Sequence, residues 1–217
     1  MSEGGEGRVV GVGPWEGPWP DDARYDPELL RDGDRRNVED RYRYWRHEVI
    51  VADLETRRHA FHVAIENWEH DFNIGSVVRT ANALGAAAFH IVGRRRWNRR
   101  GAMVTDRYQV EHHHPDVESF VSWAKGEGLA VVGIDNVPGA VPLETYALPR
   151  DCVIVLGQEG PGISAEMLAA CDVVLEITQF GSTRSMNAGA AAAIAMHAWV
   201  RRHVHGQRPA GAAPEVP

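Results

Sequence analysis

Three separated segments carry the residues of this chain best suited to chemistry. They are Asn73-Ile74-Gly75 with Arg79, Gly157-Gln158-Glu159-Gly160-Pro161-Gly162, and the stretch from Gly181 to Ser185-Met186-Asn187. Each falls where an apolar run stops and a helical pattern begins. Glycines at such junctions let a ligand approach the backbone closely, while Arg, Asn and Ser donate hydrogen bonds and Glu accepts them. In an α/β domain the loops at the carboxyl ends of strands are where ligands bind. A strand-to-helix turn alone does not require this set of side chains.

Those loops need a scaffold, and the pattern supplies one. Runs at 60–66, 88–92, 129–134, 152–156 and 173–177 read as strands. Helical periods at 75–84, 116–125, 164–170 and 187–203 alternate with them, and Gly85 closes the first of these helices. Strands apolar on both faces and alternating with helices predict an α/β fold, a parallel sheet covered by helices on both sides. With 217 residues the chain is long enough for one well-cored domain with extensions. The expected organisation is a flexible N-terminal arm at 1–36, a helical extension at 37–59, the main domain at 60–205 and a disordered tail at 206–217. Trp15 and Trp19 are candidates for holding down the arm.

Composition excludes several classes. The net charge of -7 means that nucleic-acid binding must come from a local patch. Cys152 and Cys171 have neither metal-ligand spacing nor the density of a secreted scaffold, so both are expected to pack as small apolar residues. No segment reads as a membrane span and no signal-peptide core is visible, which predicts a cytoplasmic protein. Gly11, Gly13 and Gly17 do not form a dinucleotide fingerprint, because Pro14 and Pro18 interrupt them and no helix follows. The second glycine-rich loop lacks the terminal Gly-Lys-Ser/Thr of a P-loop. Singly, each motif has an ordinary structural explanation: Asn73, Ser164 and Asn187 can each be a helix N-cap.

Taken together, the order N-x-G-x-x-x-R, L-G-x-E-G-x-G and I-x-x-x-G-x-x-x-S-x-N-x-x-x-A resembles the three motifs of SpoU-type (TrmH-like) RNA 2′-O-methyltransferases of the SPOUT superfamily, over roughly residues 60–203. The family usually has Ile-Pro where Ile177-Thr178 stands and Ser-Leu-Asn where Ser185-Met186-Asn187 stands. Thr in place of Pro adds a backbone donor. The resemblance implies a deep C-terminal trefoil knot, a homodimer, and transfer of a methyl group from S-adenosylmethionine to a ribose 2′-OH of tRNA or rRNA. It implies donor contacts at Ile134, Leu156, Gly157, Ile177 and Met186. Arg79 would act at the 2′-OH, Asn73 and Glu159 would orient it, and Ser185 and Asn187 would fix donor and ribose. A non-catalytic RNA-binding paralogue is the alternative.

One stretch outside these motifs suggests the RNA contact. Arg94, Arg95, Arg96, Trp97, Arg99 and Arg100 combine five cations with one stacking ring, which suits phosphate and base contacts. The run Glu111-His112-His113-His114 is expected to be a polar stretch facing RNA or solvent. Three consecutive histidines do not readily face one ion on a regular element, so no metal is expected.

Overall fold

The computed structural model describes residues 11–67, 73–158 and 160–207. It divides into two compact units, Met1–Thr56 and Arg57–Pro217. No helix among the described residues is long and apolar enough to cross a membrane.

Residues 11–36 are more ordered than the arm expected at 1–36, whose first ten residues lie outside the described ones. The first unit holds α1 (Pro27–Asp32), a 3₁₀ turn at Asp40–Tyr42 and α2 (His47–Glu55). Asp26 caps α1 through its side chain and Pro27 opens it, the arrangement that a first turn favours. Asp34 is fully buried and accepts from the Arg36 guanidinium at 2.7 Å and from the Tyr44 amide at 2.9 Å. Burial alone would raise its pKa, but these donors hold the carboxyl below the usual range. Trp15 packs edge-on against Tyr25 and Tyr44, with centroids 5.8 and 5.3 Å away, whereas Trp19 is exposed. The helical extension expected at 37–59 is regular helix only from His47 to Glu55.

The second unit is the predicted α/β layer structure. Its strands are β1 (His62–Asn67), β2 (Phe89–Gly93), β3 (Glu111–His114), β4 (Ala130–Ile134), β5 (Val141–Pro142), β6 (Cys152–Leu156) and β7 (Val173–Glu176). They form one sheet in the order β3-β2-β1-β6-β4-β7-β5, and every pairing is parallel. Alternate residues point to opposite faces. Val63, Ile65, Cys152, Ile154 and Leu156 pack beneath α3 (Ile74–Ala83) and α6 (Ala188–His203). Ala64, Val153 and Val155 pack on the other face, beneath α4 (Val117–Gly126) and α5 (Ala165–Ala170). Both cysteines pack in these layers, and burial pushes each thiol up to about 12.

The expectation for residues 111–114 needs correction. Instead of a polar run facing RNA or solvent, they form β3, an edge strand paired with β2, with His114 buried. His62 Nδ1 lies 3.0 Å from His90 Nε2, and His90 Nδ1 lies 3.0 Å from His114 Nε2, so three imidazoles form a hydrogen-bonded row across β1, β2 and β3. His112 stacks on His90 and Trp123 of α4 covers the row. Burial and neighbouring imidazoles depress the pKa of His62 to about 4 and of His90 to about 2. The row is neutral and structural.

Candidate active site

The segments that follow β4, β6 and β7 meet at the carboxyl side of the sheet, and a cavity of about 680 Å³ opens there. Its walls include Ile134, Leu156, Gly157, Ile177 and Met186, together with Ser185 and Asn187. These seven come from two of the three motif segments, from the ends of β4 and β6 and from the residue after β7. Asp135, Asn136, Gln158 and Gln179 add polar groups to the lining.

The loop after β6 is shaped by backbone packing. The Gln158 amide donates to Gly162 O at 3.0 Å, and the Gly162 amide returns a bond to Gln158 O at 3.1 Å. A Cβ on Gly157 would overlap the backbone of Gly162 and Ile163, so only glycine fits the crossing. Gly160 and Gly162 adopt left-handed φ of 97° and 76°. Two carboxylates that sequence reasoning missed anchor this loop. Glu66, at the end of β1 and buried, accepts from the Ser164 amide and hydroxyl, both at 2.7 Å. Asp135 accepts from the Ile163 amide at 2.8 Å. The signal for Glu66 was present: a charge closing a strand apolar on both faces must find partners.

The first and third segments are joined directly. Asn187 Nδ2 donates to Asn73 Oδ1 at 2.9 Å, while Asn187 Oδ1 accepts from the Ala190 amide and caps α6. Asn73 sits in the left-handed region with φ of 69° and makes no side-chain cap on α3. Its side chain therefore serves the tertiary contact rather than its own helix. Gly189 lets α6 start close to α3, since a Cβ there would lie 3.3 Å from Ser76 Cβ. Arg79 is exposed on α3, and Ser185 is exposed at the cavity wall. Glu159 lies outside the described residues.

Where the resembled family has proline, Thr178 uses the extra donor. Its amide and its hydroxyl each donate to the Glu144 carboxylate at 3.0 Å. The third segment is thus tied at its start to Glu144 and at its end to Asn73.

The basic stretch lies beside the first segment. Cβ on Gly75 would sit 2.6 Å from Gly101 Cα and 2.5 Å from Ala102 N, so the 3₁₀ turn Arg99–Ala102 rests on the first turn of α3. Asn67, buried, holds the stretch by donating from Nδ2 to Arg94 O at 2.7 Å and Arg96 O at 3.1 Å. Arg94, Arg95, Arg96 and Arg100 are exposed. Trp97 and Arg99 depart from the expected role. Trp97 is only 8% exposed, packs edge-on against Phe89 and donates from Nε1 to Glu111, so its ring has no free face to offer a base. Arg99 lies over that ring and pairs with Asp106 and Glu111, each at 2.9 Å. An apolar face under a loop buries a Trp sooner than leaving it in water. Among the described residues, no group of three or more His, Cys, Asp or Glu side chains could hold a metal ion.

Comparison with known proteins fits this geometry. The model of the SpoU rRNA Methylase family matches residues 60–197. A tRNA (guanosine(18)-2′-O)-methyltransferase of Escherichia coli K12 is 26% identical over 155 residues, covering 70% of this chain and 68% of the relative. A tRNA (guanosine(18)-2′-O)-methyltransferase of Saccharomyces cerevisiae is 30% identical over 139 residues, 61% of this chain; the match spans only 10% of that much longer protein. Among solved structures, the SpoU methyltransferase AviRb of Streptomyces viridochromogenes superposes with a TM-score of 0.63 at 25% identity, covering 73% of this chain and 65% of that one. With two of its motif segments lining one cavity, the first bonded to the third, and the family's pattern running through most of its length, this chain belongs to the SpoU rRNA Methylase family.

Proposed function

We propose that this protein transfers a methyl group from S-adenosylmethionine to a ribose 2′-OH of tRNA or rRNA, acting as a cytoplasmic homodimer whose cofactor loops form a deep trefoil knot. The observation that carries this reading is the meeting of the second and third motif segments at one cavity, with Asn187 at its wall bonded to Asn73 of the first. The cavity suits the donor in size and chemistry. It offers apolar walls at Ile134, Leu156, Ile177 and Met186 for an adenine, and backbone and polar groups at Gly157, Gln158, Asp135 and Ser185 for its polar parts.

When bound, S-adenosylmethionine supplies an electrophilic methyl on a sulfonium. The residues of the chain then have to position a hydroxyl in line with it and accommodate its lost proton. A guanidinium does not readily deprotonate, so Arg79 acts as a donor to the developing 2′-oxyanion, with the proton leaving to phosphate or water. Asn73, pinned by Asn187, and Glu159 orient Arg79, while Ser185 holds the ribose side of the cavity. Arg94, Arg95, Arg96 and Arg100 bring phosphates to the adjoining surface.

The test is incubation of the purified protein with methyl-labelled donor and bulk tRNA or rRNA, followed by alkaline hydrolysis. A 2′-O-methyl blocks backbone cleavage and leaves a labelled dinucleotide. Label released in mononucleotides would refute the ribose assignment. Binding of donor and RNA without transfer would identify a non-catalytic paralogue. Sedimentation showing an active monomer would remove the dimer.

A further inference from the structure

Phe180 is 95% exposed, the largest exposure of any big apolar side chain described, and it follows Gln179 at the cavity wall. Its surroundings in the chain are polar: Gly181, Ser182, Thr183 and Arg184, all exposed. The loop is irregular but restrained. Thr178 is fixed by both oxygens of Glu144. The side-chain amides of Asn136 and Gln179 both donate to the carbonyl of Arg184, which folds the loop back on itself and leaves the ring outside.

We propose that Phe180 is a platform on which an unpaired nucleobase of the substrate RNA stacks, next to the methyl-transfer cavity, with Glu144, Asn136 and Gln179 as residues that position its loop. This rests on the RNA-methyltransferase reading above. A protein interface would set the ring within a contiguous apolar patch. A single aromatic face flanked in the chain by small polar residues and an arginine fits a base and its phosphate. Bases within an A-form helix have both faces covered, so the platform selects a nucleotide that is unpaired. The substrate class is therefore a ribose in a loop, bulge or single strand.

The test uses the full chain saturated with S-adenosylmethionine, and fluorescently labelled RNA of one sequence as single strand and as duplex. Phe180→Ala should weaken single-strand binding by roughly 5- to 150-fold, the loss of one base–aromatic stack. Duplex binding and donor affinity should not change. Phe180→Trp should restore single-strand affinity and Phe180→Leu should not. Glu144→Gln should give a smaller loss in the same direction. Undiminished single-strand binding by Phe180→Ala would overturn the proposal, as would a change in sedimentation of that variant, which would place the ring against a second copy. Methyl transfer by the unmodified protein, assayed in parallel, tests the parent reading separately. A protein that binds single strands through Phe180 yet transfers nothing keeps the platform and loses the enzyme.

Discussion

Replacing Gly75 with alanine tests whether the arginine-rich stretch is held by contact with α3. The position is helical with no left-handed φ, so alanine is welcome on conformational grounds and would gain up to about 1 kcal/mol in helix propensity. Space decides the sign. The new methyl would lie 2.5 Å from Ala102 N and 2.6 Å from Gly101 Cα, where carbon contacts settle near 3.5–4.0 Å. The neighbours are backbone and have no rotamer to yield. The turn at Arg99–Ala102 must retreat by about 1 Å, against Arg99's ion pairs to Asp106 and Glu111. Overpacking of this kind costs about 1–3 kcal/mol, which after a propensity gain of about 1 kcal/mol leaves a net loss of up to about 2 kcal/mol. Urea denaturation should show a lower midpoint at unchanged slope. RNA affinity should fall by about tenfold as the exposed arginines shift, while calorimetry should find donor affinity intact, since the cavity lining includes neither Gly75 nor Gly101. Unchanged stability together with unchanged RNA binding would refute the reasoning.

The other expectations concern charge. Arg79→Lys keeps the cation but loses the planar fork, so the single-turnover rate should drop by about 10² with donor binding within a few-fold; a near-normal rate would leave Arg79 as a surface residue of α3. Replacing Arg94, Arg95, Arg96 and Arg100 with alanine should flatten the salt dependence of RNA binding by about 0.7 in log–log slope for each single-strand phosphate no longer neutralised, and an unaltered slope would return the stretch to plain solvated surface. The histidine row makes stability pH-dependent. Folding depresses the pKa of His62 to about 4 and of His90 to about 2, so the unfolded chain binds more protons below its ordinary value of 6.5. The contribution is complete above pH 6.5 and is lost as pH falls toward 4 for His62 and toward 2 for His90, at no more than about 1.4 kcal/mol per pH unit for each histidine. Urea midpoints at pH 7.5 and 5 should differ accordingly, less so in His62→Asn, and equal midpoints would contradict a neutral row.

Much of the second unit is legible in the sequence because its strands are apolar on both faces. Residues 152–156 read directly as β6, and Ser164 and Asn187 read as the starts of α5 and α6. β3 escapes such a reading because an edge strand needs only its backbone to pair, and Glu-His-His-His carries no apolar alternation. Trp97 misleads because neighbouring arginines suggest a wet loop, while Phe89 and Glu111, which bury it, are close only in space. Ile134, Leu156, Gly157, Ile177 and Met186 follow from the family resemblance, but Glu66, Asp135 and Glu144 do not. Each acts through a backbone amide or hydroxyl remote in sequence, at separations of 98, 28 and 34 residues. The N-terminal order depends similarly on one buried carboxylate, Asp34, which resembles any other acid in an acidic stretch.

The strand order also sets a timetable for synthesis. β1 sits between β2 and β6, and its residue Val63 pairs with Ile154. One edge of β1 therefore stays unsatisfied until some ninety further residues have been translated, roughly 5–20 s at 5–20 residues per second. During that interval the nascent chain displays Val63-Ala64-Ile65, an apolar segment with open hydrogen-bonding groups, which is the form of strand most prone to pair with a neighbouring chain. Yield on overexpression should therefore depend on translation speed and chaperone supply more than on the stability of the finished fold.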